Sequence, residues 1–335
     1  MDRAAYVIKK GSGGMPVDFA YAEEKLQQIK RKEGGEKVPQ LRGTQVPYLA
    51  FPALEELSFI RHGFTTRAGG VSEGIFAAMN LGFSRGDREE AVRENFHRVA
   101  EELGVAEKRF VFTDQTHTTN VRVAAEEDAG KGLVRPKDYR DVDGLVTNVP
   151  GLVLSVFTAD CVPVFLADPV HRAIGLVHSG WRGTAGRIAE KALRLMHEQY
   201  GTQPQDVFYA IAPSICQDCY EISRDVAEVF AEAFAGRESE ILTSPLQKRG
   251  GNQPSDPEQA AGLIPVTEIL SGGKPEDKFH LDLWQANRIV LEEAGAVPSH
   301  ISVTDICTCC NPRILFSHRA SQGRRGNLGA FLMIR

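Results

Sequence analysis

Apolar positions along this chain recur with two periods. Between Glu89 and Leu103, the residues Val92, Phe96, Val99, Ala100 and Leu103 fall at helical spacing and Gly104 follows, which predicts an amphipathic helix with a glycine stop. Further helices are predicted from about Thr184 to Tyr200, with Ile188, Ala192, Leu195 and Met196 inward, from Ser223 to Phe234 with Ser223 as N-cap, and from Leu281 to Glu293. Short β-branched and aromatic runs bounded by turn residues predict strands at Leu57–Thr66, Arg109–Thr113, Asn120–Ala124, Gly144–Thr147, Val153–Thr158, Val162–Ala167, Ala173–His178, Val207–Ala212, Ile301–Ile306 and Leu328–Ile334. These strands come in runs without regular βαβ alternation. An α+β fold of layered sheets is therefore expected, not a doubly wound parallel one.

The pattern also divides the chain. Residues 1–45 are charged and Gly-containing, with a short helix around Tyr21 to Arg31, and read as a peripheral N-terminal extension. Residues 46–335 read as a single catalytic domain. Within it, the segment 236–278 is dominated by Gly, Pro, Ser and charge, as in QKRGGNQPSDPEQ, and reads as a mobile surface insertion and a candidate lid.

At 335 residues, 42% hydrophobic and 25% charged, the composition is that of an ordinary globular protein. A net charge of −5 argues against an electrostatic grip on nucleic acid. The longest apolar stretch, Gly151 to Ala167, is broken by Asp160 and Pro163, so it reads as buried strands and not as a membrane span. The N-terminal MDRAAYVIKKGSGG lacks the apolar centre of a secretory signal, and the six cysteines are then expected as reduced thiols in the cytoplasm.

Chemistry concentrates where apolar runs end. His117 stands in VFTDQTHTTNV, Cys161 in LSVFTADCVPVFLADP and His178 in AIGLVHSGWRGTAGR, each next to a turn or helix start. Two imidazoles and a thiolate make three protein ligands for a zinc-like ion with a fourth position open. The same residues also make a cysteine nucleophile, Cys161, with a histidine base. No local ligand spacing links the three, so their convergence requires a fold.

The blocks HGFTTRAGGVSEG, MNLGFSRGD, DQTH, DVDGLVTNVPGLVLSVFTADCVPVFLADP, GLVHSGWRGTAGRI, AIAPSICQDCYEIS and CTCCNPRILFSHRA resemble the YfiH/laccase-domain family, also called multicopper polyphenol oxidase-like proteins. The resemblance runs in order from about Ile60 to the C-terminus. It implies layered mixed β-sheets with a sandwich-like core flanked by helices. It also implies an enzyme acting on purine nucleosides with phosphate (adenosine, inosine, guanosine or methylthioadenosine), with adenosine deaminase activity beside phosphorolysis. Zinc is the implied metal and copper a possible occupant; a monomer is implied, with no nucleic-acid or membrane partner.

The family's metal triad falls on His117, Cys161 and His178, and its substrate-site residues on Arg67, Asn80, Gln115, Ser317 and Arg319. Arg67, Arg182 or Arg319 is expected to grip phosphate, and Asp160, beside the thiol, to shuttle a proton or orient a histidine. Two blocks depart from the family pattern: QTHTTN puts Thr118 where a glycine is usual, and SHRA lacks an aromatic neighbour and a second arginine.

Two other activities are weighed against that one. A cysteine hydrolase or amidase would use Cys161 with His178. A copper-dependent polyphenol oxidase would need several copper centres, whereas the chain has nine histidines and no H-x-H pair. The remaining cysteines, Cys216-x-x-Cys219 and Cys307-x-Cys309-Cys310, read as C-x-x-C facing C-x-C-C. That spacing favours buried or loosely paired thiols over a second zinc site. Trp181 and Trp284 read as packing residues.

Overall fold

In a computed structural model of the chain, the described residues are 40–244, 266–272, 274 and 276–335. The helix expected around Tyr21 to Arg31 lies outside them, as does the middle of the expected insertion, residues 245–265.

Two six-stranded mixed sheets lie face to face, and the residues of their central strands alternate between two cores. In Leu328–Ile334, Phe331 and Met333 point to one side with Phe96 and Val99 of helix Glu89–Leu103, while Leu332 and Ile334 point inward to the second sheet. In Val162–Asp168, Phe165 and Ala167 share that inner layer, whereas Val164 and Leu166 face helices Ile188–Tyr200 and Leu283–Glu293. Strands buried on both faces read as unbroken apolar runs, because each side chain of a period-2 strand meets a different core. The layers are therefore helix, sheet, sheet, helices. This is the expected α+β architecture.

The first sheet has the order Gln40–Arg42, Tyr48–Ala50, Ile60–Thr65, Leu328–Ile334, Val153–Thr158, Phe110–Phe112, antiparallel except at its last pair. The second runs Ile301–Val303, Phe208–Ile211, Val162–Asp168, Ala173–Ser179, Gly144–Thr147, Val121–Val123, with a parallel pair at each edge. A small third sheet joins Glu221–Ser223, Lys278–Leu281 and Leu242–Thr243.

Helix Glu89–Leu103 has the expected bounds, and Gly104 takes the left-handed conformation (φ 62°) that ends it. The helix expected from Thr184 to Tyr200 is instead two, Trp181–Ala185 and Ile188–Tyr200, because Arg187 adopts a left-handed φ of 59° between them. On the second of these Leu193, not Leu195, is fully buried. Ser223 occupies the N-cap position of helix Arg224–Ala233, but its side chain makes no capping bond. Asp282 does cap its helix, accepting from the N–H groups of Trp284 and Gln285. The segment expected as an insertion has ordered flanks: Glu238–Ile241 and Val266–Gly272 are helical, and Ile241, Leu242, Val266 and Ile269 join the core. Apolar residues at the ends of the polar stretch anchor it. No helix among the described residues is long and apolar enough to cross a membrane.

Candidate functional site

Hairpin register brings Cys161 and His178 together. Val162 pairs with Ser179 and Pro163 with His178, so Cys161, one residue further out, lies opposite Gly180. His117 arrives from the loop that leads into edge strand Val121–Val123. The ligand atoms of His117, Cys161 and His178 all lie within 4.8 Å of one another, with the Cys161 Sγ 3.9 Å from His117 Nε2. The set grades from inside to outside: His178 is buried, Cys161 half-buried and His117 exposed. Both sharp turns here carry left-handed backbone on non-glycine residues, His117 at φ 65° and Asp160 at φ 90°. Such conformations cost of order 1–3 kcal/mol each and persist where the surroundings over-determine them.

Gly180 makes the convergence possible. A Cβ at this position would stand 3.1 Å from the His117 ring and 3.2 Å from the Cys161 sulfur. Its own φ of −67° is ordinary, so the glycine answers to space and not to backbone conformation.

The residue that organises the site is Asp143, which sequence reasoning passed over. Fully buried, its carboxylate accepts from His178 Nδ1 at 2.8 Å and from the N–H groups of Thr116, His117 and Thr118, as well as the Thr118 hydroxyl. It thus fixes the His178 tautomer, leaving Nε2 free as a ligand, and holds the His117 loop in its strained turn. Thr118, where a glycine was usual, contributes both of its donors to that grip. The signal lay in the DVDG block, whose second aspartate directly precedes strand Gly144–Thr147.

Electrostatics favour a thiolate. Desolvation pushes the Cys161 thiol up, but the His178 charge and hydrogen bonds from both histidines outweigh it and bring the group down to about 6. His178 is likewise desolvated, yet the Cys161 charge and the Asp143 bond raise it. Two histidine nitrogens and a thiolate, with one histidine backed by a carboxylate, are a donor set that fits zinc and leaves an open coordination position.

The triad borders a cleft of about 590 Å³. Its walls include Gln115, Phe157 and four cations, Arg85, Arg93, Lys137 and Arg325. Lys137 is paired with Asp114, whereas the buried Nε of Arg325 has no hydrogen-bond partner. Burial, with the Arg85 charge next in size, lowers Arg325 to about 10. Gln115 lies in the wall with its amide bonded to the backbone of Phe157.

Other expected site residues stand outside the cleft wall. Arg67 donates to the carbonyls of Ala77 and Pro312 and lies 4.5 Å over the Phe316 ring. Asn80 is buried, bracing the loop that carries Arg85 through Gly82 and Asp87. Ser317 is buried in a turn, accepting from the Ala320 N–H. Arg182 stacks on Trp181, and Arg319 donates to the carbonyls of Cys219 and Glu221. Asp160 contacts neither histidine; its carboxylate accepts from the Thr308 hydroxyl at 2.6 Å and the Arg319 N–H at 2.7 Å. The arginines lining the cleft are Arg85, Arg93 and Arg325, and nothing in their local sequence separates them from surface cations. Trp284 is a buried packing residue, as expected, donating to Ser214.

Several proteins resemble this chain. It is 30% identical to "Purine nucleoside phosphorylase YlmD" of Bacillus subtilis, over 81% of this chain and 87% of that protein. It is 34% identical to a "Purine nucleoside phosphorylase" of Deinococcus radiodurans (86% and 92%) and 32% to "Adenosine deaminase RL5" from an unknown prokaryotic organism (79% and 93%). Among solved structures, the hypothetical protein YfiH of Bacillus licheniformis superposes with a TM-score of 0.75 at 29% identity, over 89% of this chain and 99% of that one. The model of one family, described as multi-copper polyphenol oxidoreductase laccase, matches residues 61–335, and this chain belongs to that family.

Proposed function

We propose that the chain is a purine nucleoside phosphorylase that holds zinc on His117, Cys161 and His178, with adenosine deaminase as a side activity. One observation carries the reading: three metal-ligand side chains meet at the wall of an open cleft that also presents Arg85 and Arg325. The names of its relatives, which match about four-fifths of the chain, point the same way.

Phosphorolysis breaks the C1′–N bond of the nucleoside and forms a bond from a phosphate oxygen to C1′, while the departing purine nitrogen takes up a proton. Positive charge builds on the ribose in between, and a phosphate dianion held nearby stabilises it. Arg85 and Arg325 are planar multidentate donors suited to that anion. Phe83 and Phe157 give the cleft apolar surface against which a purine can lie. Asp143 keeps one proton on His178 Nδ1, so that Nε2, once a metal ion displaces its own proton, would present a lone pair beside the Cys161 thiolate. Zinc held by His117, Cys161 and His178 would supply Lewis-acid and water-activating chemistry to the cleft. The products are free base and ribose 1-phosphate, or methylthioribose 1-phosphate from methylthioadenosine.

One arrangement favours a second reading. Cys161, His178 and Asp143 also stand in the order nucleophile, base and orienting carboxylate, the constellation of a cysteine hydrolase. The two readings part on metal and phosphate. Purified protein incubated with adenosine, inosine or methylthioadenosine is expected to release base only when phosphate is present, and a chelator is expected to stop it. A zinc-loaded protein that frees no purine from any of the three at any phosphate concentration overturns the proposal. Activity that survives chelation and dies on thiol alkylation moves it to the hydrolase. Phenol oxidation is disfavoured by count: among the described residues the His/Cys/Asp/Glu clusters suited to a metal are two, and only one contains histidine.

A further inference from the structure

Away from the triad, four cysteines from two distant segments come together. The sulfurs of Cys216, Cys219, Cys307 and Cys310 all lie within 4.8 Å of one another, and none is in a disulfide. Read this way the ligands are C-x-x-C twice, since Cys307 and Cys310 are themselves so spaced and Cys309 stands aside. Cys307 and Cys310 thus supply the partner pair that the C-x-C-C reading of this segment lacks.

We propose that Cys216, Cys219, Cys307 and Cys310 form a closed tetrathiolate site for a structural zinc ion, separate from the His117/Cys161/His178 site. The dimensions fit one tetrahedral ion. With zinc–sulfur arms of ~2.3 Å the sulfurs of such a site stand ~3.8 Å apart, and Cys219 and Cys310 are 3.5 Å apart. A disulfide would need ~2.0 Å. An iron–sulfur cluster would spread four cysteines more widely than a single ion does. The backbone is arranged for thiolates as well: the N–H groups of Cys216 and Cys310 both point at the Cys307 sulfur, at 3.3 Å each. Uncompensated, four thiolates this close repel, and a divalent cation removes that repulsion. All four coordination positions are filled by protein, which marks a structural site and not a catalytic one.

The site also has something to hold. It clamps residues 214–220 to residues 306–311, across 91 positions of sequence between Cys216 and Cys307. Thr308, inside the second C-x-x-C, donates to the Asp160 carboxylate, and the Ile215 N–H, next to the first, donates to the Asp160 carbonyl. Arg319, tied to the Cys219 carbonyl, caps the same carboxylate through its N–H. The strained turn before Cys161 is thus braced from the tetrathiolate loops. Asp160 acts there as a positioning residue.

Metal content by mass spectrometry tests this on the full chain, purified under reducing conditions without added metal. Two zinc ions per chain are expected in the parent, and one in His117→Ala. Replacing that remaining ion by cobalt(II) should give the intense absorption of a four-thiolate tetrahedral centre. Cys310→Ser should lose this ion, and the His117→Ala measurement stands whether or not that variant folds. A His117→Ala protein that carries no metal overturns the proposal, as does the finding of iron in the site, or of Cys216, Cys219, Cys307 and Cys310 joined in disulfides. Loss of the triad reading would look different: one ion per chain, kept in His117→Ala and lost in Cys310→Ser.

Discussion

Two clusters of soft ligands sit on this fold, and they are built oppositely. The His/Cys/His cluster opens on a cleft, is graded from a buried imidazole to an exposed one, and is set on two residues with left-handed backbone. The four-cysteine cluster offers four like ligands from two C-x-x-C turns, and two backbone N–H groups converge on one of its sulfurs. Strain and openness go with reactivity, and closure with bracing. The brace reaches the reactive site through Asp160, so the two are connected without sharing a ligand.

Breaking the open cluster should have the largest effect. His178→Ala removes a ligand and leaves Asp143 buried without its partner; turnover is expected to fall by about three orders of magnitude, with the metal at the four cysteines retained. Steady-state kinetics beside metal analysis checks both halves. Asp143→Asn keeps the shape but loses the charge that orients His178. Metal affinity at the open site is expected to drop roughly 10- to 100-fold in competition with a chelator, while the four-cysteine site is unmoved.

Gly180→Ala is the cleaner steric probe, because the backbone tolerates alanine and only the 3.1–3.2 Å contacts with His117 and Cys161 resist it. About a tenfold loss in metal affinity is expected, with thermal stability falling by no more than about 1–3 kcal/mol.

The smallest effect is a pH profile. In metal-free protein the Cys161 thiolate forms as pH rises through about 6. Its alkylation rate should therefore climb below neutrality and flatten above about pH 7, where an ordinary thiol with pKa near ~8.5 is still gaining. A lower pKa also means a weaker nucleophile, so the rate advantage at pH 7 is only about threefold. A profile that keeps rising to pH 9 would show that His178 does not hold the charge assigned to it.

Much of this was legible beforehand. The ends of the apolar runs marked His117, Cys161 and His178, since strand termini are where a polar side chain can leave the core. The bounds of Gly144–Thr147, Val153–Thr158 and Leu328–Ile334 followed from runs that two cores make continuous. What escaped notice depends on distant contacts. Asp143 is one aspartate among several until the His117 loop folds over it. Arg67 and Arg319, read as anion grips, donate to carbonyls, and the arginines lining the cleft are Arg85, Arg93 and Arg325. The break at Arg187 was hidden because the apolar period continues across it.

The strand Leu328–Ile334 has a consequence for how the molecule is made. It lies between Ile60–Thr65 and Val153–Thr158, and the bond from the Gly329 N–H to the Thr65 hydroxyl spans 264 positions. Until those late residues leave the ribosome, the first sheet exists as two halves with bare apolar edges, one leading directly to Cys161. A nascent chain in that state is a natural client for chaperones, and slow translation gives it no head start.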